Sequence, residues 1–427
     1  MAVSRGRRTS ARVPLRPLLL ALAAGMLLVS CRPPIAGEGG EATDSGGGSP
    51  LPTDTPAPAE ALKPAELTSV SVQLFRGFGA ADAALQYGQA LDSYAQSNIA
   101  LNLIAPIPGY DPFAVEPAPA SVTLWVGAVA DVAPAKAAGL DLVTVGEITG
   151  RDATVLAVPS AEATAPLATL HGKTVLADTA ASAASLRSAF VASGMEPAGV
   201  TIVLPDDPSA PFDPTPLFDG TAAAAAVSRY DGWARVEEGL VATEADPASW
   251  TQRPLTPADA APLGELVWAQ KTDVADPALR PAITAFLGVV AQSQIACSQA
   301  VEDCAGAAAA QSDRTPEGIA WSIDQLDRLL FPARDGIAHI DPAAWDRTIR
   351  SVASAGVPGA SALTYTNDLV NAVLAALGPS LDVYGKGFVP RDDLPLLPPP
   401  DAGSSPTGPT DAAPDASSGV SPEPSAP

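Results

Sequence analysis

Short runs in which apolar and polar residues alternate at period two recur through the first two-thirds of the chain, separated by stretches with helical spacing. Val70, Val72 and Leu74 alternate in a strand, the loop Arg76-Gly77-Phe78-Gly79 follows, and an alanine-rich segment predicts a helix over 80–97 before Ile99, Leu101 and Leu103 alternate again. Further strand-like runs cover 122–126, 140–145, 154–158, 174–177, 200–204, 222–227 and 263–269. Strand and helix in alternation imply mostly parallel or mixed sheets flanked by helices, an α/β fold. The last third is helical. Leu279, Ile283, Phe286, Leu287 and Val290 share one face, and Thr315-Pro316 supplies an N-cap and first-turn proline before Ile319, Ile323, Leu326 and Leu330. Asp341-Pro342 repeats the device before Trp345, Ile349 and Val352, and the stripe Leu369, Val373, Leu377 stops at Gly378-Pro379. These stripes read as core packing.

The ends break the pattern. Residues 32–66 and 390–427 hold 7 and 11 of the 45 prolines among small and acidic residues, which predicts a disordered tether (31–66) and a disordered tail (390–427). The chain of 427 residues exceeds what one core usually serves, so 67–389 should form two lobes: 67–158 the first part of lobe 1, 159–262 lobe 2, and 263–389 the helical return to lobe 1. Lys and Arg total 24 against 47 Asp and Glu, and a net charge of −23 argues against nucleic acid as a partner. With 3 Cys and 2 His the chain is too poor in ligands for a zinc ribbon or multi-histidine centre, and no cofactor is implied. No G-x-S-x-G or H-E-x-x-H occurs, and Gly172-Lys173-Thr174 lacks the earlier P-loop glycine because position 167 is Leu. No catalytic residue is assigned and the chain is not expected to be an enzyme.

The N-terminus carries Arg5, Arg7, Arg8, Arg12 and Arg16 without an acid, then the apolar run Leu18 to Val29, then Ser30-Cys31. This is an export signal, and the run falls short of the roughly 20 residues an uncleaved span needs. Leu28-Val29-Ser30-Cys31 resembles the lipobox of bacterial lipoproteins, which implies a signal peptide over 1–30 and a diacylglyceryl anchor on Cys31 at the extracytoplasmic face of the cell membrane. A plain secretory signal with an incidental cysteine is the alternative. Losing five arginines and no acid with residues 1–30 takes the charge from −23 to −28. Cys297 and Cys304 then remain, an even pair in an oxidising compartment: a disulfide, or two free buried thiols. Seven residues along a continuous helix span roughly 10 Å, beyond the roughly 4.4–6.8 Å of bridged Cα atoms, so a bond requires the helix to break, and Glu302-Asp303 is a candidate break.

A lipobox, an α/β lobe, the phrase Leu170-His171-Gly172-Lys173-Thr174-Val175 opening a second lobe, and a helical return resemble an ABC-transporter substrate-binding lipoprotein of type II periplasmic-binding fold. Within that class the chain resembles the branch related to thiamine-pyrimidine-precursor binding proteins, whose relatives bind sulfonates, taurine or nitrate. Phe78-Gly79-Ala80 resembles its Phe-Ala-Gly loop, and Gly146-Glu147-Ile148-Thr149-Gly150-Arg151-Asp152 its Gln-x-x-x-Arg-Ser-Gly stretch. Ser228-Arg229-Tyr230-Asp231-Gly232-Trp233 resembles its Met-Thr-Tyr-Asn-Glu-aromatic motif, without the Asn and Glu, and Leu329 to Ile337 with Asp341 and Trp345 resembles its Leu-Ile-Trp-Pro and Gly-Ile-Gly-x-x-Asp segment. The resemblance implies a monomer whose lobes close on a small planar or anionic metabolite and then dock on a permease.

On that reading Phe78, Tyr230, Trp125 and Trp233 are candidate stacking plates. Arg76, Arg151 and Arg229 are candidates for a carboxylate, sulfonate or phosphate, and the backbone from Asp178 to Ser182 for an anion at a helix start. Gly79, Glu147 and Asp231 complete the ligand-binding set by their motif positions. Solvated arginines, core aromatics and a plain turn are the structural alternatives. Eukaryotic relatives that synthesise the pyrimidine consume an active-site histidine, but His171 falls in the interdomain turn and His339 in the helical end. A degenerate binding fold serving as a surface or interaction lipoprotein is the other alternative.

Overall fold

The computed structural model describes residues 62–114, 120–256, 261–378 and 380–391. The export signal, Cys31, most of the expected tether and nearly all of the tail lie outside the described residues. Among the described residues ten strands form: β1 (Thr68–Leu74), β2 (Ile99–Ile104), β3 (Ser121–Gly127), β4 (Leu142–Glu147), β5 (Thr154–Pro159), β6 (Thr174–Ala177), β7 (Thr201–Val203), β8 (Ala224–Ser228), β9 (Trp250–Pro254) and β10 (Leu266–Gln270). They form two sheets, β2-β1-β3-β10-β4 and β7-β6-β8-β5-β9.

Both sheets are mixed. In the first, β1 runs parallel to β2 and β3, whereas β10 lies antiparallel between β3 and β4, setting Trp268 opposite Trp125. In the second, β6 is parallel to β7 and β8, and β5 is antiparallel to β8 and β9. Period-two alternation carries no strand direction. The antiparallel member β5 is the first strand of the second sheet, and the antiparallel β10 is the strand by which the chain returns to the first. Helices cover both faces, so central strands such as Ala224–Val227 are buried throughout and read as continuous apolar runs.

The helix Arg280–Gln299 and the helix Asp368–Leu377 pack on one face of the first sheet, where Phe286 and Val370 meet Val72 and Leu124. The first of these is long and apolar enough to cross a bilayer, yet it is buried nearly throughout as the core helix of this lobe. The helices Val129–Ala137 and Pro342–Ser354 cover the other face around Trp125, Trp268 and Trp345. In the second lobe Leu186 and Phe190 of the helix Ala180–Ala192 meet Leu156 and Val175, while Val236 and Leu240 of the helix Gly232–Ala242 meet Val155 and Val227.

Local signals place the helix starts: the Thr315 hydroxyl accepts from the Gly318 N–H, and the Asp341 carboxylate from the Ala343 and Ala344 N–H groups. The helix expected over 80–97 is two, Ala80–Ala90 and Ser93–Gln96, divided where Asp92 takes the left-handed conformation that Asp tolerates better than most residues. The cysteine-bearing helix breaks at Ala300, slightly before Glu302-Asp303, which occupy the first turn of the helix Val301–Ala309 and complement its dipole. Cys297 and Cys304 form a disulfide across that break, with Cα atoms 5.1 Å apart.

Three boundaries differ from expectation. β5 belongs to the second sheet, whereas the expected boundary places 154–158 in lobe 1, because its antiparallel partners β8 and β9 lie there. β9, an edge strand of mixed residues ending in Pro, lacks a strong alternation and is not anticipated. Leu62, inside the expected tether, packs into the first core, and Arg391 at the start of the expected tail donates its backbone N–H to Asp324 at 2.8 Å.

Candidate functional site

The chain crosses between the sheets twice, from β4 to β5 and from β9 to β10, and the two crossings are knitted together. The Ile148 N–H donates to the Glu265 carbonyl at 2.8 Å and the Asp152 N–H to the Pro262 carbonyl at 2.7 Å. In front of them lies a cleft of about 390 Å³. Its walls are the loops after β1 (Arg76–Gly79), after β6 (Asp178–Ser185) and after β8 (Ser228–Gly232), the crossing segments, and the loop Gln311–Arg314. A crevice at the carboxyl ends of parallel strands is where open α/β sheets accept ligands.

Asp231, from the second lobe, reaches the first. Its carboxylate accepts from the Ala80 N–H at 3.2 Å, at the start of the helix Ala80–Ala90, and from Arg314 Nη1 at 3.1 Å. Gly79 makes room for this approach: a Cβ there would stand 2.6 Å from Asp231 Oδ2. Arg314 is buried, and its remaining donors go to Glu238 Oε1 at 3.0 Å, Ser322 Oγ at 2.6 Å and the Gly318 carbonyl at 3.0 Å. Ser322 Oγ in turn donates to the Tyr230 carbonyl at 2.8 Å.

The arginines of the cleft are thus engaged by the protein itself. Arg76 forms a two-pronged pair with Glu265, Nη2 donating to Oε2 at 2.6 Å and Nη1 pairing with Oε1, and Asp82 Oδ2 stands 3.9 Å away. Arg235 pairs with Asp313 at 2.5 Å and with Glu238 at 3.7 Å. Against three lining arginines stand five lining carboxylates: Asp152, Asp178, Asp231, Glu265 and Asp313. Asp152 accepts from Thr154 and Ser185 hydroxyls at 2.6 Å, and Asp178 Oδ2 from the Ser228 N–H at 2.7 Å. Behind the wall, burial pushes Asp82 up to about 6 against the opposing pull of Arg76, and burial pushes Asp131 up to about 6 despite its hydrogen bond from the Ala128 N–H. Burial also raises Asp178 and Tyr230. Among the described residues of the cleft an extra anion therefore meets no unpaired arginine, and a surplus of acid.

Of the residues singled out in the sequence, Arg76, Phe78, Gly79, Asp178, Tyr230 and Asp231 line the cleft. Five do not. Trp125 is a core residue, its Nε1–H donating to the Pro112 carbonyl at 2.8 Å and its ring stacked on Phe113. Arg229 points its Nε–H at Gln252 Oε1, 3.2 Å away on β9. Glu147 and Arg151 line a second cavity, which shares no residue with the cleft. Trp233 is likewise core, in the second lobe. The helix start at Asp178–Ser182 is closed by its own side chain, because Thr179 Oγ1 accepts from the Ser182 N–H at 3.0 Å. His171 lies in the turn against Gly199, and His339 lines the second cavity. Arg314, Glu265, Asp152, Arg235 and Phe212 were not anticipated. Glu265 alone leaves a local trace, as a lone acid beside the apolar run of β10. Among the described residues no group of three or more His, Cys, Asp or Glu side chains is placed to hold a metal ion.

The chain has the two-sheet fold of periplasmic binding proteins. A protein from Bordetella bronchiseptica RB50 superposes with a TM-score of 0.53 at 12% identity over 72% of this chain and 97% of that one. A ligand-binding component of an ABC-type import system from Staphylococcus aureus, with zinc bound, gives 0.51 at 10% identity over 72% and 98%. A protein assigned as the periplasmic sulfonate-binding protein of a sulfonate ABC transporter from Methylobacillus flagellatus KT gives 0.50 at 12% identity over 76% and 98%. In sequence, no family model and no curated protein matches the chain.

Proposed function

We propose that the chain is the extracytoplasmic solute-binding component of an ABC importer, held to the membrane through a lipid on Cys31, which closes its lobes on a small solute and presents the closed form to a permease. The observation that carries this reading is the interlobe cleft of about 390 Å³, lined from strand-end loops of both lobes by apolar plates and a few directed polar groups. The solved neighbours whose titles name an ABC import component and a sulfonate-binding protein support it.

The planar alternative for the solute has more support than the anionic one. Phe78, Phe212 and Tyr230 offer ring faces or edges, while Arg76, Arg235 and Arg314 are all ion-paired. A planar, neutral or positively charged solute such as a pyrimidine or an aromatic amine suits that lining.

A thermal-shift screen of pyrimidines, aromatic amines and alkanesulfonates tests this. Stabilisation by the first two groups, lost in Phe78→Ala and in Asp152→Asn, supports the reading. Silence across the panel would favour a surface lipoprotein that retains the fold without the transport role.

A further inference from the structure

The second cavity, of about 440 Å³, is built on the same crossings as the cleft but from different residues. Gly150 and Arg151 on the first crossing and Ala261 on the second line it, while their neighbours Thr149, Asp152 and Pro262 line the cleft. On the helix Pro342–Ser354, Ala344 and Arg347 face the cavity and Thr348 and Ser351 the cleft. The two spaces therefore stand back to back across the hinge.

Its electrostatics are the reverse of the cleft's. Arg151, Arg334 and Arg347 contribute guanidinium groups, and none has a carboxylate within ion-pair distance or a side-chain hydrogen bond among the described residues. Arg347 Nε and His339 Nδ1 are buried polar atoms with no partner, and so is Oε2 of the buried Glu147. Glu147 does not answer the arginines: burial, and then Asp341, push it up to about 8 against the opposing pull of Arg151, so it keeps its proton at neutral pH. The Oδ1 of Asp341 is committed to the Ala343 and Ala344 N–H groups at 2.7 and 3.0 Å, and Asp335 is exposed. Arg151 and Arg334 are exposed and Arg347 is half-buried, so the buried unpaired donors are Arg347 Nε and His339 Nδ1; such donors are rare, and guanidinium forks match oxyanions geometrically.

We propose that this hinge cavity is a second binding site, distinct from the interlobe cleft, for a small polyvalent oxyanion, a phosphate- or carboxylate-bearing metabolite held by Arg151, Arg334 and Arg347. The cavity has room for more than a bare tetrahedral ion. The site needs no particular occupant in the cleft.

Titrating the intact chain with pyrophosphate and with citrate at constant ionic strength and neutral pH, by isothermal calorimetry, tests the assignment and separates phosphate from carboxylate ligands. Saturable one-to-one binding of at least one of them is expected, weakened about tenfold in Arg347→Gln and also weakened in Arg334→Gln, whose exposed side chain leaves folding intact. Arg350→Gln, an exposed arginine on the same helix outside the cavity, should leave it unchanged. Absence of saturable binding of both ions, equal affinity in Arg334→Gln and Arg347→Gln to the unaltered chain, or an equal loss in Arg350→Gln would overturn the proposal.

Discussion

The cleft and the hinge cavity are close in size, about 390 and 440 Å³, and are lined by neighbouring residues of the same two crossings and the same helix. Each holds three arginines. In the cleft all three are paired with carboxylates, whereas in the hinge cavity the nearest buried acid, Glu147, is held neutral. An arginine in a cavity thus signals an anion site only after the protein's own acids have been matched against it. A buried guanidinium that already has its counter-charges is architecture.

Four substitutions probe that contrast. Arg314→Met removes the buried guanidinium shared by Asp231 and Glu238, leaving Glu238 only the longer Arg235 contact, and should cost roughly 3–5 kcal/mol in urea unfolding. A loss under about 1 kcal/mol would mean that the cleft network is not structural. Glu147→Gln works through pH. The carboxyl titrates at about 8 in the fold against an ordinary value of 4.5, so the folded state holds the proton longer and stability falls as pH rises through that window. The substitution should be neutral below about pH 4.5 and stabilise by roughly 2–4 kcal/mol at pH 8–9, as measured by unfolding across pH. Arg151, Arg334, Arg347, His339, Asp335 and Asp341 share that cavity, and a flat difference across pH would show that Glu147 does not lose its proton in that window. Gly79→Ala pushes a methyl against the Asp231 carboxylate and should lower stability by roughly 1–2 kcal/mol in thermal melts. Smallest, Arg334→Gln should change stability by no more than about 0.5 kcal/mol in calorimetry, since the unaltered side chain has no partner to lose.

The fold was legible wherever a local rule suffices. Val70, Val72 and Leu74 announce β1, and the Thr315-Pro316 and Asp341-Pro342 pairs mark helix starts to the residue. The site was half legible. Phe78 and Tyr230 sit in strand-end loops, where α/β sheets place ligand groups, and both line the cleft. Trp125 and Arg229 failed because strand ends present alternate residues to opposite faces, and one residue of phase decides between cleft and interior. Arg314 was invisible because its partners, Asp231 and Glu238, lie more than seventy residues away in the chain. The same holds for Glu265 and Arg76: only the fold makes them a pair.

The Asp231 carboxylate has a consequence of its own. It caps the helix at Ala80 and holds Arg314 from the opposite lobe, so the lobes are latched by groups that belong to the protein. In the proposed importer role such a latch would leave a resting population of closed molecules that carry nothing. A permease sensing closure alone would then be signalled by empty receptors as well as full ones. Discrimination in such a system would rest on dwell time: how much longer the latch holds once a solute is inside.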